Sequence, residues 1–142
     1  MTAREYLGQA RKLMMHIRQK EKLLAEMRLN AVGGRSLDPD GERVQTSRKE
    51  GSPLEEAAIR RMDLEREIQK DIVAYYGKRN EIIDTIHGLD DSRYILVLHA
   101  KWIDGESLER IAADTHYYFG TIRKWYWNAM KEMERLLKGA GF

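Results

Sequence analysis

Residues 111–127 of the chain read IAADTHYYFGTIRKWYW, and the spacing of the apolar and small residues in them indicates a specific helical motif. An apolar and a small residue stand together at Ile111 and Ala112, and the branched residue Ile122 follows ten positions after Ala112. A helix-turn-helix has this order, because a small residue faces the partner helix and a branched residue returns the second helix to the core. The stretch therefore predicts a helix over 107–114, a turn at Thr115-His116-Tyr117 and a second helix over 118–138.

The second helix has two chemically different faces. Apolar residues continue from Ile122 at steps of three and four through Tyr126, Ala129, Met133 and Leu136, which predicts one buried stripe. The predicted helix-turn-helix core consists of Ile111, Ala112, Ile122, Tyr126 and Ala129. The outward face carries aromatic, hydroxyl and basic side chains, and as candidates for contact with a DNA groove it offers Tyr118, Phe119, Thr121, Arg123, Lys124 and Trp127.

The turn and the start of the second helix contain two unusual residues. His116 stands in the turn, and histidine adopts positive φ more often than most residues do, so the turn is possible without glycine. Gly120 inside the second helix costs about 1 kcal/mol relative to alanine. It either permits close approach to a phosphate or weakens the helix.

Two long amphipathic helices precede this region. The capping box of Thr2 and Glu5 starts the first helix, whose apolar stripe runs to Met27 with one interruption at Lys20, and we expect the helix to end near Ala31. Proline at the first helical position after Ser52 starts the second helix, whose apolar seam runs over about 35 residues. Two long helices with one apolar face each predict an antiparallel hairpin over residues 1–89.

Residues 30–52 contain four glycines and a proline without apolar periodicity, so we expect a flexible, dispensable loop at about 32–52. Gly88 and the cap Asp90-Asp91-Ser92 end the hairpin, and a helix over 92–103 follows. The predicted fold is all-α: a long antiparallel helical hairpin over 1–89, then a three-helix helix-turn-helix module over 90–142. The hairpin seams are imperfect, so we expect them to pack against the C-terminal helices or to associate as a homodimer.

Composition excludes several classes of protein. The chain has no cysteine, so disulfide frameworks and thiolate zinc sites are excluded. The four histidines, at positions 16, 87, 99 and 116, fall in different predicted elements and lack metal-ligand spacing, and no nucleophile motif or phosphate loop is present. We therefore expect no catalytic residue, no metal and no cofactor. Apolar runs are far shorter than the roughly 20 residues of a membrane span, which predicts a cytoplasmic protein without membrane contact.

Residues 94–137 resemble region 4 of sigma-70-type factors. The resemblance rests on YILVL at 94–98 and Trp102 in a first helix, the bend Asp104-Gly105, the RIA triplet at 110–112, Thr121-Ile122, and Ala129 with Met133. A turn of Thr115-His116-Tyr117-Tyr118 replaces the Leu-Gly-Val-Ser that is usual in that family. With a helical hairpin in front, the chain is similar to small phage-encoded regulators of the ArpU and RinA type.

This resemblance implies a non-enzymatic transcriptional regulator of phage or prophage origin that acts in the cytoplasm of a bacterial host. It implies double-stranded promoter DNA as the partner, with RNA polymerase as a second. The alternative is a helical interaction or assembly module that binds no DNA, because one fold serves many functions. Arg123 and Lys124 favour DNA, since a guanidinium fits the acceptors of a guanine edge. The six aromatic residues of 117–127 exceed what a small core needs, which favours an interface of either kind.

Overall fold

The computed structural model describes residues 1–36 and 52–140, with side chains given for 1–31 and 52–140. This part of the chain is all-α, as predicted, and contains no strand. Its elements are α1 (Ala3–Leu7), α2 (Gln9–Ser36), α3 (Pro53–His87), α4 (Ser92–Leu98), a π-helical segment (His99–Ile103), α5 (Leu108–Thr115) and α6 (Phe119–Ala140). None of the described helices is long and apolar enough to cross a membrane.

The helix starts follow the capping residues of the sequence. The Thr2 side chain accepts a hydrogen bond from the Glu5 amide at 3.1 Å, and Ser52 Oγ accepts one from the Glu55 amide at the same distance. Asp91 caps α4 by accepting from the Arg93 amide at 2.9 Å. These bonds satisfy amide groups that have no partner inside a helix, so they fix where each helix begins.

The first predicted helix begins as expected but differs from the observed one in its interior and at its C-terminal end. Gly8 divides it into α1 and α2, and α2 continues to Ser36 instead of ending near Ala31. A Cβ at Gly8 would lie 3.1 Å from the Arg4 carbonyl oxygen and 3.7 Å from the Trp102 ring, so glycine permits close packing at this break. The predicted loop at about 32–52 overlaps α2 as far as Ser36, and residues 37–51 lie outside the described part of the chain.

The chain forms two compact units, and the first comprises residues 1–12 and 75–142. The boundary predicted at 89–90 therefore falls inside this unit. Its core combines both ends of the chain, because α1 contributes Tyr6 and Leu7 and α3 contributes Ile82 and Ile86, each at most 1% exposed. The N-terminal helix and the last part of α3 thus share one core with the C-terminal helices.

Polar contacts fasten α1 to this core. The Ala3 amide donates to both carboxylate oxygens of Glu134 in α6, at 2.9 and 3.2 Å. The Tyr6 hydroxyl donates to Glu81 Oε2 in α3 at 2.8 Å. That bond, together with Lys78, holds the pKa of the Glu81 carboxyl below its ordinary value, and burial raises the pKa of Tyr6.

The second unit, residues 13–74, is an antiparallel helix pair. Leu24 of α2 packs against Leu64 and Ile68 of α3, with Met27 and Ile72 half-buried beside them. Lys20, which interrupts the apolar stripe of α2, donates from Nζ to Asp71 of α3 at 2.6 Å. The interruption is therefore an ion pair across the two helices, which sequence periodicity alone did not reveal.

A core shared by α3 and α6 predicts how two α3 substitutions differ. Ile86→Ala empties a fully buried site, so we expect it to lower the free energy of unfolding by about 2–5 kcal/mol. Asn80→Ala, at an exposed site on the same helix, should change it by about 0.5 kcal/mol or less. Urea unfolding followed by tryptophan fluorescence measures this, because all three tryptophans lie in residues 75–142. Equal midpoints for the two variants would contradict the shared core.

Candidate nucleic-acid interface

Helix α5 forms the first half of the candidate interface. Ser107 caps it by accepting from the Arg110 amide at 3.1 Å, so the helix begins one residue later than predicted, at Leu108. Ile111 and Ala112 are buried at 1% and 8% exposure. The Thr115 hydroxyl donates to the Ile111 carbonyl oxygen at 2.6 Å, which holds Thr115 in the helix. The turn is therefore shifted by one residue from the prediction, to His116–Tyr118.

His116 makes the turn with φ 63° and ψ 25°, in the left-handed region. It is the one non-glycine residue with positive φ among the described residues. The expectation that His116 can make this turn without glycine is confirmed. After the turn, the Tyr118 carbonyl oxygen accepts from the amides of Thr121 and Ile122 at 3.0 and 3.2 Å, and these bonds start α6.

Helix α6 buries one apolar stripe. Ile122, Ala129 and Met133 are fully buried and Tyr126 is 8% exposed, so the predicted helix-turn-helix core is confirmed as core. The stripe ends on Leu137, at 1% exposure, and not on the predicted Leu136, which is half-buried beside it. From Met133 the two leucines lie three and four positions on, and the helix rotation favours the later one. Burial raises the pKa of Tyr126.

The predicted outward face lies in solvent. Tyr118 is 79% exposed, Trp127 58% and Phe119 39%. Arg123 and Lys124 are exposed, and Thr121 is half-buried between them and the turn. Neither basic side chain takes part in an ion pair with the described residues, whereas Arg110 of α5 is paired with Asp114 at 3.2 Å. This face thus presents two unpaired cations among aromatic rings.

Gly120 has a structural role that the sequence did not show. A Cβ at this position would lie 2.7 Å from Cε2 of Tyr118 and 3.1 Å from its Cδ2. The Tyr118 ring therefore occupies the space beside the helix that any other residue at 120 would fill. Glycine here leaves room for an exposed aromatic ring at the start of α6.

The two tryptophans of α6 have different surroundings. Trp125 is half-buried, meets the Tyr117 ring edge-on with centroids 4.8 Å apart, and has the Arg93 guanidinium 5.8 Å from its centroid. Trp127 instead borders a cavity of about 390 Å³, whose wall is formed by Thr2, Ala3, Arg4, Tyr126, Trp127, Met130 and Glu134. Trp125 is thus only partly buried, and Trp127 belongs to the surface.

Histidines 87 and 99, distant in the sequence, are brought together. His87 Nε2 and His99 Nδ1 lie 3.0 Å apart, and His99 Nε2 lies 3.8 Å from Asp104 Oδ1. Helix spacing could not reveal this pair, because the two rings come from α3 and the π-helical segment. No group of three or more potential metal-ligating side chains of the His, Cys, Asp and Glu types occurs within the described ranges.

Comparisons with protein-family models, with curated proteins and with solved structures gave no match to this chain.

The left-handed turn predicts a difference between two substitutions of His116. Valine is branched at Cβ and tolerates positive φ poorly, so His116→Val should lower the free energy of unfolding by about 1–2 kcal/mol. Asparagine adopts the same region readily, so His116→Asn should stay close to the wild type. Thermal unfolding followed by circular dichroism compares them. The turn geometry would be refuted by two variants of equal stability.

Proposed function

We propose that this chain is a non-enzymatic DNA-binding transcriptional regulator whose helix α6 enters the major groove. One observation carries the proposal: the exposed cations Arg123 and Lys124 stand with Tyr118, Phe119 and Trp127 on the outer face of a helix anchored by Ile122. In helix-turn-helix proteins the N-terminal residues of the second helix contact base edges. Tyr118 lies in the turn just before α6, and the other four side chains belong to the first three turns of this helix.

The chemistry of the face fits a duplex. A guanidinium at Arg123 can donate to O6 and N7 of guanine, and the Lys124 ammonium can bond a guanine edge or a phosphate. Phenyl rings make apolar contact with the thymine methyl group, which gives Phe119 a role in the groove. Thr121 lies at the same end of α6, and its hydroxyl can donate a hydrogen bond to a base or to a phosphate.

The resemblance to sigma-70 region 4 extends the proposal to the partners. Promoter DNA is the proposed ligand, and RNA polymerase is the second proposed partner, as for regulators of the ArpU and RinA type encoded by phages. The site of action is then the cytoplasm of a bacterial host.

A second candidate function is a protein-interaction module that binds no DNA. It is favoured by the exposed rings of Tyr118 and Trp127 and by the cavity beside Trp127, because aromatic residues are enriched in protein interfaces. A partner's apolar side chain would occupy that cavity. The two candidates differ in salt dependence, since phosphate contacts release counterions and protein contacts through aromatic rings do not.

The double variant Arg123→Ala/Lys124→Ala tests the DNA proposal. Both side chains are exposed, so the fold should survive, while affinity for the best selected duplex should fall by roughly 1–3 kcal/mol for a lost bidentate base contact. Each lost phosphate contact should reduce the slope of log K against log salt by about 0.9. Fluorescence anisotropy across a salt series gives both quantities, and melting temperature checks the fold.

The matched control is Arg135→Ala/Lys138→Ala, which removes the same charge from the same helix. These residues lie about 18 Å or more beyond Arg123 by helix rise, so they should affect binding much less. If both double variants lost the same affinity for the duplex, the loss would be an effect of net charge and not of a specific contact. If the wild type binds no duplex more tightly than the micromolar non-specific level, the DNA proposal fails and the protein-interaction module becomes the leading candidate.

A further inference from the structure

Helix α3 carries a second apolar stripe in residues 13–74 that α2 does not cover. Ile59, Met62 and Val73 are 57%, 51% and 73% exposed. Together with Arg66 and Gln69 they stand at alternating steps of three and four, which is the 3.5-residue repeat of a coiled-coil seam. We call Ile59, Met62, Arg66, Gln69 and Val73 the outer stripe.

The outer stripe borders an open groove beside α2. The groove has a volume of about 940 Å³, and its apolar floor includes Leu24, Ile68 and Ile72. Met62 and Val73 stand on its α3 side. Among the described residues of this unit, Leu24, Leu64 and Ile68 form the clustered core, so the groove exposes apolar surface beside a thin core. A further helix laid along the outer stripe would cover that surface.

The order of residues in the outer stripe fits a second copy of the same stripe. If a two-fold axis passes between Glu67 and Ile68, antiparallel α3 helices place residue n opposite residue 135 − n. Met62 then faces Val73 of the other copy, which pairs apolar with apolar. Arg66 faces Gln69 of the other copy, which pairs a donor with an amide oxygen. Polar residues at one layer of a seam specify register and orientation.

Charge supports the same register. Asp63 and Lys70 each follow a residue of the outer stripe by one position, so they lie on the same flank of it, and both are exposed. In an antiparallel pair they lie at facing flank positions, so Asp63 of each copy meets Lys70 of the other, twice across the axis. Asp63 otherwise bonds Arg66 at 3.3 Å within its own helix, which is a surface pair of small energy. A parallel arrangement in register would instead put this flank of one copy against the opposite flank of the other, so that Asp63 could not meet Lys70.

We propose that two copies of this chain associate through the outer stripes of α3, antiparallel and with the axis between Glu67 and Ile68. Met62 and Val73 form the apolar contacts, Arg66 and Gln69 fix the register, and the Asp63–Lys70 pairs fix the orientation. This dimer is independent of the DNA proposal, since none of its residues belongs to the helix-turn-helix. The groove is then closed by the second copy's α3.

Charge reversal on the full chain tests the proposal. Asp63→Lys or Lys70→Asp creates two like-charge contacts in the dimer, so each should raise the dimer dissociation constant about tenfold at low salt. The double variant Asp63→Lys/Lys70→Asp restores opposite charges and should return the constant close to the wild-type value. The two positions are about 10 Å apart within one helix, so this rescue can arise only between copies. Analytical ultracentrifugation measures the constants.

Arg60→Glu is the matched control, because it reverses an exposed charge of α3 outside the outer stripe and its flank positions. It should leave the dissociation constant unchanged, and circular dichroism should show equal helix content in all variants. A wild type that is monomeric at ~100 µM would overturn the proposal, since the dissociation constant would then exceed that concentration. A dissociation constant that the single charge reversals leave unchanged would overturn this interface. A double variant whose dissociation constant does not return to the wild-type value would do the same.

Discussion

The burial of Ile122 is the constraint on which the helix-turn-helix depends. A helix is rigid and turns 100° per residue, so one fully buried side chain fixes the direction of all its neighbours. Tyr126, Ala129 and Met133 follow it into the core, and Arg123, Lys124 and Trp127 are necessarily turned outward. The proposed chemistry of the face is thus a consequence of the packing behind it.

That packing comes from both ends of the chain. Tyr6 and Leu7 of α1 and Ile82 and Ile86 of α3 share one core with α6, and the bonds from the Ala3 amide to Glu134 tie the N-terminus to the same helix. A three-helix module of about 50 residues alone would bury little apolar surface, because small domains bury a small fraction of their area. Helix α1 and the C-terminal end of α3 therefore contribute to the stability of the candidate interface itself.

Local signals in the sequence predicted most of the helices. Capping residues such as Ser52 and Asp91, together with the 3.6-residue periodicity, located the helix starts to within a residue or two, and the Ile111, Ala112 and Ile122 spacing predicted the helix-turn-helix core. Contacts between distant residues were beyond such signals. The membership of α3 residues 75–87 in the C-terminal core, the ion pair of Lys20 with Asp71, and the contact of His87 with His99 all depend on tertiary packing.

Two other features were predicted from the sequence only in part. His116 was identified as a residue that tolerates positive φ, but the turn was placed one residue early, because the bond of the Thr115 hydroxyl to the Ile111 carbonyl extends α5. Gly120 was recognised as unusual, but its reason, the Tyr118 ring in the place of a Cβ, is a contact that no periodicity expresses.

The proposal that the outer face of α6 meets DNA is tested most directly by nuclear magnetic resonance of the uniformly ¹⁵N-labelled chain titrated with its best selected duplex. We predict that the largest amide shift changes fall within residues 117–128, and that the Trp127 indole resonance moves more than that of the half-buried Trp125. Shift changes confined to other parts of the chain, with residues 117–128 unaffected at saturation, would contradict the account.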